Sequence, residues 1–345
     1  MGETFQVRLE PVGIEFEVDE DETVLRGAFR QGLMLMHGCK EGQCAACKSF
    51  LLDGEVDLDK YSTFALNDFE KEEGWTLLCR AHAVTDLEVE LINYDEEVLR
   101  SGVALQTQSM RVAAVEALTH DIRRLVLSGD QGLTFKPGQY VDITIPGTDE
   151  VRSFSMANLP NGSEDANHLE FMIKIYPDGK FSSLLAEERL APGDEVQVTG
   201  PYGVFTLREK SERPLLFIGG GAGMAPILAL LRAMAEKGSE RRAVYYYGAR
   251  GPGDLFHLDE LAELERRLPN FRFVPALSHC DEDAEWDGER GLITDVVSRL
   301  EEELGEVDAY LCGPPPMVDA AIAMLDQGGV PESRVYYDKF TTTAP

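Results

Sequence analysis

Pro214-Leu-Leu-Phe-Ile-Gly-Gly-Gly-Ala-Gly-Met-Ala-Pro-Ile-Leu-Ala-Leu-Leu231 runs without a charge, and two readings compete for it. A membrane-spanning helix needs about 20 apolar residues, so the length is nearly sufficient. Glycines at 219, 220, 221 and 223, with Pro226 beyond them, interrupt the middle of the run. Such punctuation fits a strand at Leu215–Ile218, a tight glycine turn and a helix start far better than a span. Outward from this turn, apolar strands are predicted at 215–219, 243–247, 271–277 and 308–312. Helical spacing is predicted at about 225–237, 257–267, 291–303 and 315–326. That alternation predicts an α/β doubly wound parallel sheet.

Upstream the pattern changes to evenly spaced strands, at 110–118, 122–128, 139–145, 152–157, 168–175 and 194–199. Turn signals such as Lys136-Pro137-Gly138 and Ala191-Pro192-Gly193-Asp194 separate them. Short strands at this interval predict a small antiparallel β-barrel. Nearer the start, residues 4–9 and 13–18 alternate apolar and polar and read as a hairpin. Thr23 to Gly32 has helical spacing, short strands continue to Leu91, and 93–108 reads as a polar linker. No internal repeat is visible.

The chain has 345 residues and a net charge of −30. That charge excludes a nucleic-acid backbone as partner, because phosphates require a basic surface. Residues 1–98 hold 23 acidic against 8 basic side chains, which makes either a solvated acidic face or a docking surface for a basic protein. The N-terminus has no apolar signal region and no myristoylation pattern. Six cysteines without an export signal are expected to be thiols or metal ligands in a cytoplasmic protein.

Four of those cysteines carry chemistry. Cys39-Lys-Glu-Gly-Gln-Cys44-Ala-Ala-Cys47 followed by Cys79 is C-x4-C-x2-C…C, the spacing that holds one [2Fe–2S] cluster. Three thiolates from one loop and a fourth from a distant strand can surround two irons. Gly38, Gly42, Ala45 and Ala46 let backbone N–H groups approach the sulfurs. Zinc is the competing reading, but zinc sites favour paired C-x2-C knuckles and only one pair is present. His37 and His82 lie near the cysteines without the C-x-H pairing of a Rieske site, so they read as packing or surface histidines. Cys280 has no partner motif and reads as structural.

Arg152-Ser153-Phe154-Ser155 follows a predicted strand, and Gly179-Lys180-Phe181-Ser182-Ser183 opens a predicted helix. A helix start with free N–H groups suits a pyrophosphate, and an arginine can clamp the same phosphates. Gly219-Gly220-Gly221-Ala222-Gly223-Met224-Ala225-Pro226 sits at a strand-to-helix turn, and Cys312-Gly313-Pro314-Pro315-Pro316-Met317 ends another strand.

These motifs together resemble the ferredoxin–NADP reductase superfamily, whose signatures are R-x-Y-S/T, G-G-x-G-x-x-P and Cys-Gly-Pro. The resemblance implies that Arg152 and Ser153, with Gly179, Ser182 and Ser183, hold the flavin phosphates. It implies that Phe154 lies against the flavin ring, with Phe in place of the usual Tyr, and that Ser155 bonds near its N5. Lys174 and Tyr176 would border the adenylate, favouring FAD. Gly219, Gly220, Gly221, Gly223 and Pro226 would cradle the nicotinamide dinucleotide. Cys312, Gly313 and Pro314 would line the hydride-transfer site, with Cys312 a lining residue and not a nucleophile. Phe340 would stack on the flavin face, its alternative being an edge aromatic. Arg250 stands without a second cation for a 2′-phosphate, which favours NADH over NADPH.

Across its whole length the chain resembles the reductase components of bacterial multicomponent oxygenases. Within them it is most similar to those of soluble di-iron methane- and propane-type monooxygenases, on Phe135-Lys-Pro-Gly-Gln-Tyr-Val-Asp-Ile-Thr-Ile-Pro-Gly-Thr148 and Arg152-Ser-Phe-Ser-Met-Ala-Asn-Leu-Pro-Asn161. The implied architecture is multidomain: an α+β ferredoxin (β-grasp) domain at 1–98, an antiparallel β-barrel flavin domain at 99–208, and a doubly wound nucleotide domain at 209–345. Electrons would pass from NADH through FAD and the cluster to a hydroxylase docked on the acidic ferredoxin face. No residue is placed to attack a carbon substrate, so the chain alone is not expected to hydroxylate. The alternatives are a reductase for a Rieske ring dioxygenase and a non-catalytic iron–sulfur module.

Overall fold

The computed structural model describes residues 2–100, 102–160, 167–279 and 286–340. Cys280 therefore lies outside the described residues. The chain forms two compact units, Met1–Thr107 with Gly200–Val204, and Gln108–Thr199 with Phe205–Pro345.

In the first unit a five-stranded sheet runs in the order Ile14–Asp19, Thr4–Glu10, Leu87–Glu90, Lys48–Asp53, Trp75–Leu77. The hairpin pairs antiparallel from Thr4–Asp19 to Leu9–Ile14, and Thr4–Glu10 pairs parallel with Leu87–Glu90. The period-2 alternation read from the sequence turns Val7, Leu9, Phe16 and Val18 inward, where all four are buried. Helix Val24–Arg30 adds Val24, Leu25, Ala28 and Phe29 to the same core. Thr23 starts the helix by accepting from the Arg26 N–H at 3.3 Å. A sheet gripping one helix is the expected β-grasp arrangement.

The stretch 93–108 is not the linker that its polarity suggested. Glu96–Arg100 is a helical turn with Val98 and Leu99 buried. Asp95 caps it, accepting from the Glu97 and Val98 N–H groups at 3.0 and 3.2 Å. The Met34 N–H donates to the Leu99 carbonyl at 3.4 Å. Two apolar residues among charges show no period, so only burial against the unit reveals the helix.

Six antiparallel strands follow, ordered Val151–Ser155, Tyr140–Thr144, Glu195–Tyr202, Gln106–Ala117, Ile122–Ser128, His168–Lys174. A bridge between Met156 and Phe171 draws the first and last strands together, so the barrel is nearly closed. Inward residues such as Val141, Ile143, Leu125, Leu127 and Phe171 are solvent-free. A parallel six-stranded sheet follows, ordered Glu289–Arg290, Phe271–Leu277, Ala243–Ala249, Leu215–Gly220, Asp308–Gly313, Val335–Lys339. Helices Met224–Glu236, Leu258–Arg267, Ile293–Leu300 and Pro315–Gln327 connect its strands. Chain direction across the sheet reverses between Leu215–Gly220 and Asp308–Gly313, which places a ligand crevice at their carboxyl ends. Barrel residues Ile122, Ala157, Met172 and Phe205 share one core cluster with Leu228, Leu231 and Tyr310 of the nucleotide half. No helix among the described residues is long and apolar enough to cross a membrane.

Candidate functional site

The motif residues gather into three groups, one in the first unit and two in the second. In the first unit, the loop 39–47 aims backbone donors at sulfur: Glu41 and Gln43 N–H groups reach Cys39 Sγ at 3.4 and 3.2 Å, and the Cys39 N–H reaches Cys44 Sγ at 3.3 Å. The loop requires unusual backbone. Lys40 and Ala45 take φ of 57°, left-handed values that non-glycine residues avoid, and Gly42 takes +69°. An added Cβ at Gly42 would lie 2.7 Å from Tyr61 Cβ, and one at Gly38 would lie 2.9 Å from Cys44 Sγ. Cys39 and Cys44 are within hydrogen-bond reach of each other, as are Cys47 and Cys79. The Cys44 hydrogen bond, with backbone donors, holds the Cys39 thiol down at about 5.

Among the described residues, only His120, Asp121 and Asp254 form a trio of metal-type groups with ligand atoms within 4.8 Å of one another. No three of the four thiols meet that limit, so they form two close pairs, Cys39 with Cys44 and Cys47 with Cys79, where a tetrahedral zinc with 2.3 Å bonds would bring all four sulfurs to roughly 3.8 Å. Two thiol pairs and sulfur-directed N–H groups fit a two-iron cluster. His37 is buried with Nδ1 at 2.7 Å from the Leu35 carbonyl, and His82 Nε2 lies 3.2 Å from Asp59, so both serve local structure.

In the barrel, the segments 152–155 and 179–183 are neighbours. Glu150 joins them, accepting from Arg152 at 3.3 Å and from Lys180 at 2.6 Å. Phe154 and Phe181 pack with ring centroids 4.9 Å apart. Arg152 and Lys180 thus present two cations in one place, and the sequence reading singled out only the first. Ser153 and Ser182 are engaged in the fold: the Ser153 hydroxyl donates to Asp142 at 2.6 Å, and Ser182 Oγ accepts from the Tyr176 N–H at 3.1 Å. A Cβ on Gly179 would stand 2.2 Å from Ser182 Oγ, so a larger residue there would turn that hydroxyl away from the Tyr176 N–H. Ser183 N–H donates to the Gly179 carbonyl at 2.9 Å and opens the short helix Ser182–Ala186. Ser155 is buried at the strand's end, Lys174 is ion-paired with Asp121, and Tyr176 is 40% exposed.

At the nucleotide sheet, the two glycine-bearing turns meet at the crevice. Leu215–Gly220 pairs with Asp308–Gly313, Gly219 opposite Cys312. A Cβ on Gly223 would lie 2.1 Å from the Cys312 carbonyl oxygen, and one on Gly313 2.8 Å from that of Gly220. Gly219 and Gly220 make room for Tyr245 and Met317, at 2.6 and 2.9 Å from their missing Cβ atoms. Gly221 takes a φ of +57°, and its carbonyl accepts from Tyr247 Oη at 3.2 Å. Helix Met224–Glu236 starts here, with Pro226 in its first turn, where no N–H partner is required. Pro314 precedes the helix Pro315–Gln327. Cys312 is fully buried and burial pushes its thiol well up, so it stays neutral and is no nucleophile. Phe340 N–H donates to the Gly313 carbonyl at 3.0 Å, which brings the chain's end to this crevice.

The sequence reading missed Asp338, which pairs in register with Cys312. Burial holds its carboxyl up at about 7. It also missed Arg232. That side chain donates to the Ala157 carbonyl and to Glu170, both at 2.9 Å, and grips Glu260 at 2.6 and 2.9 Å. It therefore ties the nucleotide helix to the chain just beyond Ser155. An arginine in a helix carries no sequence signal for such a role.

Three family models match consecutive stretches: the 2Fe-2S iron–sulfur cluster binding domain at 7–84, the oxidoreductase FAD-binding domain at 109–207 and the oxidoreductase NAD-binding domain at 217–322. The reductase component of propane 2-monooxygenase from Mycolicibacterium smegmatis is 51% identical, over 99% of this chain and 99% of its own. That of phenol 2-monooxygenase from a Pseudomonas strain is 36% identical, over 99% and 96%. Among solved structures, an Amycolatopsis cytochrome P450 reductase aligns with a TM-score of 0.87 at 32% identity, covering 98% of this chain and 99% of that one. The ferredoxin reductase in carbazole 1,9a-dioxygenase aligns at 0.75 and 31%, with the same coverage. A sulfur-directed loop, the neighbouring Arg152 and Gly179 motifs and a glycine-lined crevice thus occur in one chain that all three family models match, and the chain belongs to the family of iron–sulfur flavoprotein oxidoreductases that includes the propane 2-monooxygenase reductase components.

Proposed function

We propose that this chain is the NADH-dependent reductase of a multicomponent di-iron monooxygenase of the propane type, working in the cytoplasm. The observation that carries the reading is the coincidence of the three sites with identity to a propane 2-monooxygenase reductase along 99% of the chain. When bound, FAD supplies the conversion of a two-electron hydride into single electrons that a [2Fe–2S] cluster can take.

The protein's part is to hold and orient. Cys39, Cys44, Cys47 and Cys79 would ligate the cluster. Arg152, with Lys180 beside it, would take the flavin pyrophosphate, and Glu150 would give up both cations to it. Phe154 would border the ring and Ser155 would donate near its N5, with Ser153, Gly179, Ser182 and Ser183 shaping the pocket. Lys174 and Tyr176 would flank the adenylate. Gly219, Gly220, Gly221, Gly223 and Pro226 would admit the NADH pyrophosphate to the start of Met224–Glu236. Cys312, Gly313 and Pro314 would line the nicotinamide, and Phe340 would cover the flavin until NADH displaces it. The boundaries 1–98, 99–208 and 209–345 belong to this reading, as does docking of the hydroxylase on the acidic first domain.

Anaerobic titration with NADH tests it. Bleaching of the flavin band together with loss of the iron–sulfur bands, then oxidation of both by added hydroxylase, is the expected result. Reduction by NADPH but not NADH would reverse the donor assignment, and reduction by neither would end the reading. A reductase for a Rieske dioxygenase is the second reading, favoured by the likeness to the carbazole-dioxygenase protein. Reoxidation by a Rieske oxygenase but not by a di-iron hydroxylase would select it.

A further inference from the structure

Among its described residues, the first unit holds two exposed phenylalanines that its core does not use. Phe64 is 98% exposed and Phe69 is 79% exposed. Single exposed apolar residues are ordinary, but the placement of these two is not. Phe64 rides on a tight turn in which the Ala65 and Leu66 N–H groups donate to the Ser62 carbonyl at 2.9 and 3.2 Å. The Ser62 N–H in turn donates to the Gly42 carbonyl at 3.0 Å, inside the cysteine loop. Cys44 is exposed and Cys39 half-buried, whereas Cys47 and Cys79 are buried. The cluster ligands therefore approach solvent along the Cys39–Cys44 edge, and the Phe64 turn is fastened to that loop. Phe69 follows in the helix Asp68–Glu72, which a reciprocal Asn67–Glu70 capping box holds in place.

Charge narrows what can cover these rings. Between 59 and 73 the carboxylates are Asp59, Asp68, Glu70, Glu72 and Glu73, against Lys60 and Lys71. A second copy of the chain would bring the same acidic surface and be repelled. A partner with an apolar pocket inside a basic rim fits, because aromatic anchors at the centre and charges at the edge are how protein interfaces are built. Electron transfer also requires close approach to the exposed edge of the cluster site.

We infer that Phe64 and Phe69 are the apolar anchors by which the first unit docks on its electron acceptor, the hydroxylase component, rimmed by basic side chains. The inference rests on the function proposed above. In the docked complex one electron leaves the reduced cluster, which is oxidised, and the acceptor's metal centre is reduced.

The test uses full-length holoprotein, its Phe64→Ala, Phe69→Ala and double variants, Phe64→Trp, and the purified hydroxylase of a propane 2-monooxygenase. Affinity is read by calorimetry, cluster content by absorbance, and internal reduction by stopped-flow mixing with NADH. The double variant should retain its cluster and its internal reduction rate, bind hydroxylase at least about ten-fold more weakly, and transfer electrons to it correspondingly slowly. Phe64→Trp should bind like the wild type. Unchanged affinity in the double variant overturns the inference. So does slowed NADH-to-cluster reduction, which would assign the rings to the chain's own flavin half, or a change in self-association by light scattering. If the wild type itself neither binds nor reduces the hydroxylase, the proposed function fails first and takes the inference with it.

Discussion

Gly223 shows how much one missing side chain can decide. Its Cα faces the Cys312 carbonyl so closely that a methyl group would stand 2.1 Å from the oxygen, and that neighbour is backbone, which cannot rotate away. Gly223→Ala should therefore push the two turns of the crevice apart. The expected outcome is a rise in KM for NADH of ten-fold or more with flavin and cluster content unchanged, read by steady-state kinetics and absorbance. Asp338 supports a prediction in pH. Its carboxyl is held up at about 7 by burial, while an unfolded aspartate titrates near 4. The fold thus favours the neutral form, so stability is highest below the unfolded value and declines as pH rises to about 7. Asp338→Asn is neutral throughout, so its Tm should gain on the wild type between pH 5 and pH 8. A constant difference across that range would show that the carboxyl is solvated.

The nucleotide helix Met224–Glu236 does two jobs at the scale of an element. Its N-terminus faces the crevice, and its Arg232 is seated on the barrel through Ala157 and Glu170. The Glu170 side chain is only 5% exposed and is shared between Arg124 and Arg232. Burial alone would raise its pKa, but the two guanidiniums hold it below the usual carboxylate range. Glu260, only half-buried, is drawn down to about 2 by His257 and Arg232. Removing one member of a buried charge network typically costs about 3–5 kcal/mol, because a partner is left uncompensated. Arg232→Met should lower stability by a few kcal/mol in denaturant titration. It should also lower kcat for NADH oxidation more than it raises KM, since the helix loses its seat while the crevice stays intact. The strands were legible in sequence because each has a regular period: predicted 243–247 and 271–277 are observed as Ala243–Ala249 and Phe271–Leu277. Helix Glu96–Arg100 was not legible, because one helical turn has no period to read.

For the whole molecule, the uneven charge matters most. With 23 acidic against 8 basic side chains in residues 1–98, association with a basic partner should be steered over a Debye length of about 10 Å at 0.1 M salt. Raising ionic strength from about 0.02 to 0.3 M should slow electron delivery to the hydroxylase several-fold, while NADH reduction of the chain's own centres stays constant, both read by stopped-flow absorbance. Equal salt dependence of the two steps would remove the acidic face from docking. The order of the three domains, the C-x4-C-x2-C…C spacing and the glycine turns were legible in the sequence alone. Ligand spacing along one loop and the glycines of a strand-to-helix turn are local conditions, met or not met within a few residues. What only the tertiary structure decided are the meetings of distant segments: Gly223 against Cys312, Asp338 beside Cys312, Lys180 sharing Glu150 with Arg152, and Arg232 on Glu170. Those depend on strand order and on how the barrel and the parallel sheet share a core. Neither leaves a pattern along the chain, because the free energy that sets them comes from burial between elements and not from the residues of any one of them.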